Sequence, residues 1–281
     1  MRHGVSLAAR IPLLLVLPAC AQTGVPLSAQ QLGPEFVQRH VSVPGAVISY
    51  FIRNAPGPTL VLIPGSFDPA AQWSDVIAGL DKRLRIEIVE LRGHGGSWPP
   101  PSRGTIPEFA KDVLAAVNHA GIRRFYVGGH SIGGMIAIEA AAEYPQRLDG
   151  VISVEGWTHY SVAQDAFQGQ IRSTLSPALR ARALELRKPV TTRWTRDQMR
   201  EFAEIWKHWN GYQILERTRL PVLELWGDRG RPTPPSRVLM KIPDRPNIQL
   251  MWMHGASHVL PLERPAEVAA AIDSFIRRTS Q

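Results

Sequence analysis

Short apolar runs rich in β-branched residues alternate along the chain with longer segments in which apolar residues recur every three or four positions. The short runs predict β-strands, and the longer segments predict amphipathic helices. Strands are predicted at residues 47–53, 59–63, 86–90, 125–128, 150–154, 221–226 and 248–253, and helices at 69–80, 106–120, 132–144 and 265–277. This alternation predicts an α/β fold, with a mostly parallel sheet covered by helices on both faces.

The segment 156–219 interrupts the alternation. It has no convincing strand pattern, it reads as several helices, and it separates two predicted strands. We therefore expect a helical lid at 156–219, inserted between the first part of the core at 22–155 and the second part at 220–281. The length of 281 residues is ample for one large core with such an insertion.

The first 21 residues have the layout of an export signal. Basic residues precede an apolar run at 11–19 that is too short to cross a bilayer, and small residues follow it. Ala-Cys-Ala at 19–21 fits cleavage by a signal peptidase, whereas Leu-Pro-Ala-Cys at 17–20 resembles a bacterial lipobox, which would place a lipid anchor on Cys20. A buried N-terminal helix is the alternative, although two prolines interrupt the run. We expect an exported bacterial protein that is periplasmic, membrane-anchored as a lipoprotein, or secreted.

The composition and the absence of certain motifs argue against nucleic acid, metals and cofactors as partners. Hydrophobic residues make up 44% and charged residues 20%, as in ordinary globular proteins. The net charge of +8 would suit nucleic acid, but 27 of the 32 basic residues are scattered arginines, so no nucleic-acid partner is expected. The sequence has no zinc-protease motif, paired cysteines, phosphate loop or dinucleotide fingerprint, so neither a metal nor a cofactor is expected. The oligomeric state is left open.

The most informative motif is Gly-His-Ser-Ile-Gly at 129–133. A predicted strand leads directly into it and a predicted helix follows it, which is the context of a nucleophile elbow. Such a turn would expose the Ser131 hydroxyl at the N-terminus of the helix. The alternative is a glycine-rich turn with an incidental serine.

Three further segments occur in the order that the α/β-hydrolase fold superfamily uses. Ile-Pro-Gly-Ser-Phe at 63–67 resembles its oxyanion loop, and Val-Glu-Leu-Arg-Gly-His-Gly-Gly-Ser at 89–97 resembles its Asp-x-Arg-Gly-His-Gly-x-Ser turn. Gly-Ala-Ser-His at 255–258 resembles the loop that carries its histidine. With the serine motif, these segments make the chain similar to an α/β-hydrolase from about residue 41 to 276.

The resemblance implies roles for particular residues. Ser131 corresponds to the nucleophile and His258 to the general base, with His254 as a rival for the base. The oxyanion donors would be the N–H of Ile132 together with the N–H of Ser66 or of Phe67. Proline replaces the histidine that usually begins the oxyanion loop, which leaves these backbone donors in place.

The acid of the triad departs from the family pattern. The family usually has aspartate where this chain has Gly230. Glu155 is the preferred acid, because it ends the strand after the nucleophile strand and so reaches the same edge of the sheet as Ser131. Its placement is similar to that in the glutamate-type haloalkane dehalogenases, although the serine at the elbow argues against their reaction. Asp228 is the alternative acid, and Glu155 would then be a salt-bridge partner beside the lid.

These parts predict a serine hydrolase that cleaves carboxylic esters through a Ser-His-Glu triad and an acyl-enzyme. Eight aromatic residues in the predicted lid favour a small-molecule substrate with an apolar acyl or aryl group. Candidate pocket residues are Phe67, Trp157 and His130. The alternatives are a cofactor-free lactonase, C–C bond hydrolase or acyltransferase, and a hydrolase-fold binding protein that has lost turnover.

Export is testable at the N-terminus of the protein isolated from its native bacterium. Mass spectrometry should find a chain that begins at a lipidated Cys20 or at Gln22, because the apolar run is an export signal. The substitution Cys20→Ala separates the two routes, since it removes the lipidation site and keeps small residues at the other cleavage site. Recovery of the intact chain, beginning at Met1, from the cytosol would contradict the prediction.

Overall fold

The computed structural model describes residue 1 and residues 32–170 and 174–280. The predicted export signal, with Cys20 and both cleavage sites, lies outside the described residues. None of the helices within the described ranges is long and apolar enough to cross a membrane.

Within the described residues, eight strands form one sheet in the order β1-β2-β4-β3-β5-β6-β7-β8. β1 pairs antiparallel with β2, and β2 pairs antiparallel with β4, whereas the other neighbours are parallel. The strands are β1 Val37–Val43, β2 Ala46–Arg53, β3 Thr59–Ile63, β4 Arg85–Val89, β5 Phe125–His130, β6 Leu148–Val154, β7 Val222–Gly227 and β8 Ile248–Met253. The predicted α/β class with a mostly parallel sheet is confirmed.

Helices cover both faces of this sheet. They are α1 Ser74–Gly79, α2 Ile106–His119, α3 Ile132–Glu143, α4 Val162–Asp165, α5 Pro177–Thr191, α6 Arg196–Glu204, α7 Tyr212–Arg217, α8 Leu260–Glu263 and α9 Pro265–Thr279. Short 3-10 turns precede α1 and follow α3, at Ala70–Trp73 and Pro145–Arg147. The single helix predicted at 69–80 is therefore a 3-10 turn followed by α1.

The central strands are apolar on both sides, because each side faces a separate core. In β3, Leu60 and Leu62 pack into one hydrophobic cluster, and Val61 and Ile63 pack into the other. A strand buried on both faces loses the alternating pattern and becomes a continuous apolar run. This is why these strands were recognisable from the sequence.

The edge strand β1 was not predicted. Its sequence is Val-Gln-Arg-His-Val-Ser-Val, and none of its residues is fully buried. Polar residues are compatible with an edge strand that pairs with β2 alone, so β1 gives only a weak signal in the sequence.

The segment between β6 and β7 contains α4 to α7 and, within its described residues, no strand longer than an isolated bridge between His159 and Asn210. We refer to residues 156–219 as the helical insertion. It leaves the sheet at the carboxyl end of β6, at the edge where β5 also ends, and it returns to the amino end of β7, at the opposite edge.

One acidic side chain lies in the middle of the sheet without compensation. Glu87 of β4 is fully buried, and neither carboxyl oxygen has a hydrogen-bond partner in the described part of the chain. Burial raises the pKa of Glu87 to about 8, with a smaller opposing effect from the Arg85 charge. The side chain is therefore mainly protonated in the folded protein at neutral pH.

Glu87 should make stability fall as pH rises. An unfolded glutamate loses its proton near pH 4.3, so the folded state is penalised progressively between that pH and about pH 8, by up to about 1.4 kcal/mol for each pH unit. Glu87→Gln removes the titration, so its free energy of unfolding relative to wild type should increase by about 2 kcal/mol or more between pH 5 and pH 9. Urea unfolding at both pH values measures this, with Glu216→Gln at an exposed glutamate as the control. A difference between Glu87→Gln and wild type that does not change with pH would contradict the prediction.

Candidate active site

Ser131 lies in a strained turn between β5 and α3. Its backbone has φ 55° and ψ −119°, in a region that side-chain-bearing residues rarely adopt, and its N–H donates to the carbonyl of Val154. The glycines around it are needed for space. A Cβ on Gly129 would lie 2.1 Å from the backbone of Gly133, and one on Gly133 would lie 2.3 Å from the carbonyl oxygen of Ile63. The motif at 129–133 therefore forms a tight strand-to-helix turn that presents the serine.

His258 joins Ser131 to Glu155. Its Nε2 is 3.0 Å from the Ser131 hydroxyl oxygen, and its Nδ1 is 3.1 Å from Glu155 Oε2. An ionised carboxylate can only accept, so Nδ1 carries the proton and Nε2 accepts from the serine hydroxyl. The three side chains come from the end of β5, the end of β6 and the loop before α8.

Glu155 is held by four donors. Oε1 accepts from the N–H of Gly227 at 2.7 Å and from Arg229 Nη1 at 2.5 Å, while Oε2 accepts from Arg229 Nη2 at 2.7 Å and from His258. Its backbone also lies in the left-handed region, at φ 54°. The side chains of Glu155 and Arg229 are 0% and 1% exposed, so this is a buried bidentate ion pair directly behind the histidine.

The charge of Glu155 is determined by these contacts. Burial raises the pKa of the carboxyl, but the Arg229 charge and the hydrogen bonds from His258 and Arg229 outweigh burial and hold the pKa below its usual range. The Arg229 guanidinium in turn stacks 3.9 Å above the ring of Phe167, which belongs to the helical insertion. Glu155 is therefore ionised although it has no contact with solvent.

Asp228 has different partners. Its Oδ2 is 2.7 Å from His254 Nδ1, and its Oδ1 accepts from the N–H groups of Gly230 and Gly255. These contacts engage both carboxyl oxygens in the loop itself, where the side chain of His254 is 81% exposed. The structure thus places the alternative acid and the rival histidine together with each other, whereas both ring nitrogens of His258 face Ser131 and Glu155.

Two of the three candidate oxyanion donors are available. The N–H of Phe67 donates to His94 Nε2 at 2.7 Å, so it is already used. No hydrogen bond from the N–H of Ser66 to a residue within 32–170 or 174–280 is present. Ile132 is the first residue of α3, so its N–H has no partner within the helix. Ser66 and Ile132 both line the cavity that contains Ser131.

This cavity has a volume of about 410 Å³. Residues of the core and of the helical insertion form its walls: Ser66, Ser131, Ile132, Met135, Trp157, Ala163, Gly169, Arg187, Trp206 and His258. Most of the lining is apolar, and Trp157 stacks at a tilt against His258 with 5.4 Å between ring centres. Trp157 therefore lies where a pocket residue was expected.

The other two predicted pocket residues do not line the cavity. Phe67 has φ 63° and packs instead against His94 and against Trp194 and Phe202 of the helical insertion. His130 is buried, and its Nε2 is 2.7 Å from the carbonyl oxygen of His258. The pocket assignment of Phe67 and His130 is therefore corrected: both support the site from outside the cavity.

A polar network behind the cavity was missed from the sequence. Gln72 accepts from the N–H of Gly65 at 2.9 Å and donates to Asp68 Oδ2 at 2.6 Å, and its amide nitrogen lies 2.9 Å from His130 Nδ1. Burial, with a contribution from nearby His258, lowers the pKa of His130 to about 3, so its ring is neutral and donates from Nε2 to His258. Gln72 thus ties the oxyanion loop to the backbone of His258.

Neither Gln72 nor Arg229 was recognisable as a site residue from the sequence. Gln72 contacts His130 and Arg229 contacts Glu155 across long stretches of the chain, and neither Gln72 nor Arg229 is part of a motif recognised in the sequence. Arg229 adjoins Asp228 in the loop where an acid was sought, but its pairing with Glu155 depends on how the ends of β6 and β7 meet.

The arrangement can deprotonate a hydroxyl and stabilise a negative charge beside it. His258 can take the proton of Ser131, and the Glu155 carboxylate can stabilise the resulting imidazolium. Ser66 and Ile132, whose N–H groups are candidate donors to an oxyanion, line the same cavity. Among the described residues, no group of three or more His, Cys, Asp and Glu side chains could hold a metal ion.

Comparison with known proteins identifies the family. A family model described as the alpha/beta hydrolase fold matches residues 58–202, just over half of the chain. A protein of Agrobacterium fabrum provisionally named carbamate hydrolase RutD is 30% identical over 106 residues, which are 37% of this chain and 41% of that protein. The matched region spans less than half the length of this relative and of the mycobacterial and Escherichia coli relatives that also match.

Solved structures agree in fold. A bacterial membrane phospholipase A superposes with a TM-score of 0.70 at 21% identity, covering 90% of this chain and 89% of that one. Carboxylesterase CesB of Bacillus subtilis superposes with a TM-score of 0.66 at 20% identity, covering 89% and 94%. At these identities the likeness establishes a shared fold.

The buried ion pair should be energetically coupled. Arg229→Met leaves the Glu155 carboxylate buried without a cation, so it should lower the free energy of unfolding by about 3–5 kcal/mol. The loss should grow as pH rises, because removing the cation raises the pKa of Glu155 above its unfolded value. The double variant Arg229→Met/Glu155→Gln should recover part of the loss, with a coupling of at least about 1 kcal/mol.

Urea unfolding of the wild type, both single variants and the double variant measures this coupling. Arg231→Met is the matched control, because Arg231 lies in the same loop and near the same Phe167 ring, yet its hydrogen bond goes to the carbonyl of Ala166. Additive effects of the two substitutions at Arg229 and Glu155 would show that the pair is not coupled.

Proposed function

The chain belongs to the α/β-hydrolase fold family, and from this premise we propose that it is a serine hydrolase that cleaves carboxylic esters. One observation carries the proposal: His258 contacts the Ser131 hydroxyl and the buried Glu155 carboxylate at the same time, at distances of 3.0 and 3.1 Å. The serine lines a cavity together with Ser66 and Ile132, whose backbone N–H groups have no hydrogen-bond partner in the described part of the chain. Esterase and carbamate hydrolase names among the relatives agree with this class of reaction.

The reaction follows from the positions of these atoms. His258 Nε2 takes the proton of Ser131 as the serine oxygen forms a bond to the ester carbonyl carbon, and the carbonyl oxygen becomes an oxyanion. The N–H groups of Ser66 and Ile132 donate to that oxyanion. His258 then gives its proton to the departing alkoxide as the carbon–oxygen bond breaks, which leaves an acyl-enzyme and a free alcohol.

Water completes the cycle. His258 removes a proton from a water molecule as its oxygen attacks the acyl carbon, and it returns that proton to Ser131 as the acid is released. Throughout both steps the Glu155 carboxylate keeps the histidine proton on Nδ1 and stabilises the imidazolium. The positive charge of Arg229 weakens the attraction between the Glu155 carboxylate and the imidazolium of His258. The same charge keeps Glu155 ionised although it is buried.

The walls of the cavity support an apolar substrate group. Trp157, Trp206 and Met135 present large apolar surfaces, which favour an acyl or aryl group over a sugar or nucleotide. Because the helical insertion supplies Ala163, Gly169, Arg187 and Trp206 to these walls, we propose that it acts as the lid of the site.

The proposal is tested with p-nitrophenyl esters of increasing chain length and three variants. Ser131→Ala should reduce kcat by several orders of magnitude while the protein stays folded, because it removes the nucleophile without opening a core cavity. Glu155→Gln should lower kcat by about 10²- to 10⁴-fold, because an amide cannot stabilise the imidazolium. Asp228→Asn is the matched control and should have a much smaller effect, since Asp228 contacts His254.

Each outcome has a distinct meaning. Undiminished hydrolysis by Ser131→Ala would contradict the serine mechanism, and a larger loss in Asp228→Asn than in Glu155→Gln would contradict the assignment of the acid. A folded wild type that hydrolyses none of these esters would contradict the esterase proposal. Lactones, substrates with a cleavable C–C bond and acyl acceptors would then be the next substrates to assay.

A further inference from the structure

The cavity contains one charged side chain that the esterase chemistry does not use. Arg187 lies on α5 of the helical insertion, and it lines the same cavity as Ser131 and His258. Its side chain is 14% exposed, so it is largely buried in the protein. A cation in a mostly apolar wall needs a reason, because burial of a charge is costly unless the charge is paired.

Arg187 forms an ion pair with a carboxylate of the protein, Asp68. Arg187 Nε donates to Asp68 Oδ1 at 2.6 Å, and Nη2 donates to Asp68 Oδ2 at 2.8 Å. Asp68 is fully buried and also accepts from Gln72, which is fixed to the oxyanion loop. The guanidinium is therefore held rigidly against the core by one of its two forks.

The other edge of the guanidinium, formed by Nη1 and Nη2, does not bind Asp68. A guanidinium has five N–H donors, and Asp68 takes one from Nε and one from Nη2. This leaves one donor on Nη2 and both donors on Nη1, which together present a planar pair to an acceptor. No hydrogen bond from Nη1 to any residue at 32–170 or 174–280 is present.

The composition of the wall leaves a ligand as the source of an acceptor for the free Nη1–Nη2 edge. Arg187 is the only Arg or Lys among the described residues that line the cavity, and none of those residues is acidic. A planar pair of N–H donors matches the two oxygens of a carboxylate, and such bidentate contacts are among the strongest hydrogen bonds in proteins.

We propose that Arg187 is a specificity-determining residue that binds a carboxylate carried by the ester substrate. The inference rests on the proposed esterase function and refines it: the substrate is an ester with an apolar body and a second, anionic end. Asp68 and Gln72 act as positioning residues, because they hold the guanidinium in place before the substrate arrives. The carboxylate belongs either to the acyl group or to the leaving alcohol.

A purely structural role makes a different prediction. If Arg187 only attached the helical insertion to the core, its free donors would be irrelevant to the choice of substrate. The same helix provides a comparison, because Arg182 also pairs with a core carboxylate, Asp75, at 2.6 Å. The Arg182 side chain is 52% exposed and does not line the cavity, so Arg182→Met tests the loss of a similar ion pair without the loss of the site.

The experiment measures kcat/KM for matched pairs of esters. On the acyl side, the p-nitrophenyl half-ester of adipic acid is compared with p-nitrophenyl hexanoate, which replaces the carboxylate with a methyl group. On the alcohol side, the acetate ester of para-hydroxybenzoate is compared with para-cresyl acetate. Rates without enzyme are subtracted for every ester.

The wild type should prefer the carboxylate ester in at least one pair. Arg187→Met should reduce that preference by about 10- to 100-fold, the range expected for loss of charge-assisted hydrogen bonds. Arg187→Lys should lose most of the preference as well, because a lysine that pairs with Asp68 has no planar fork left. Arg182→Met should leave the preference unchanged.

The outcomes separate this inference from the function on which it rests. If the wild type hydrolyses neither member of any pair, the esterase proposal fails. If the wild type hydrolyses the neutral esters with equal or greater efficiency, the carboxylate site is wrong and the esterase proposal stands. If Arg187→Met lowers kcat/KM equally for both members of a pair, Arg187 has only a structural role. Hydrolysis of the neutral ester by Arg187→Lys shows that the cavity remains intact even if Arg187→Met fails to fold.

Discussion

A carboxylate removed from water must be kept ionised by its neighbours, and this requirement organises the site around Glu155. The side chain has no exposed surface, so its charge depends on the fork of Arg229, the N–H of Gly227 and the Nδ1–H of His258. A buried ion pair of this kind adds little net stability, because desolvation offsets the attraction. Its effect lies in the geometry: four donors fix both oxygens, and the only ring nitrogen among those donors belongs to His258.

The same interaction connects the helical insertion to the chemistry. Arg229 is also positioned by Phe167, whose ring lies 3.9 Å from the guanidinium carbon, and Phe167 packs against Trp157 in the cavity wall. A displacement of the insertion would therefore change the environment of the acid as well as the shape of the pocket. The Arg229 cation beside Glu155 also reduces how strongly the carboxylate can stabilise an imidazolium at His258.

How much the sequence could predict depended on whether a feature is local. The motif at 129–133 was recognisable because a strained turn requires glycines at fixed spacing, and the buried strands were recognisable as apolar runs. Glu155 was placed beside Ser131 because β5 and β6 are parallel neighbours, and the register indeed pairs His130 with Val154. Phe67 and His130 were misplaced because adjacency to a site residue does not determine on which side of the backbone a side chain lies. β1 was missed because an edge strand rich in polar residues carries no apolar run. Arg229 and Gln72 were missed because their contacts with Glu155 and His130 join residues distant in sequence.

The network around Gln72 indicates why the oxyanion loop, the histidine and the cavity wall should be treated as one unit. Its amide connects Gly65, next to the proposed donor Ser66, with His130, which holds the carbonyl of His258, and with Asp68, which holds Arg187. All of these connections are buried except the one between Asp68 and Arg187, which is partly buried. Buried hydrogen bonds are strong, and buried unpaired groups are costly. A ligand that bound Arg187 would therefore act on a group fixed to the same network as the reacting atoms. If Arg187 binds the substrate as proposed, then Gln72 positions both the guanidinium, through Asp68, and the loop of Ser66, through Gly65, although its own contacts include neither Arg187 nor Ser131.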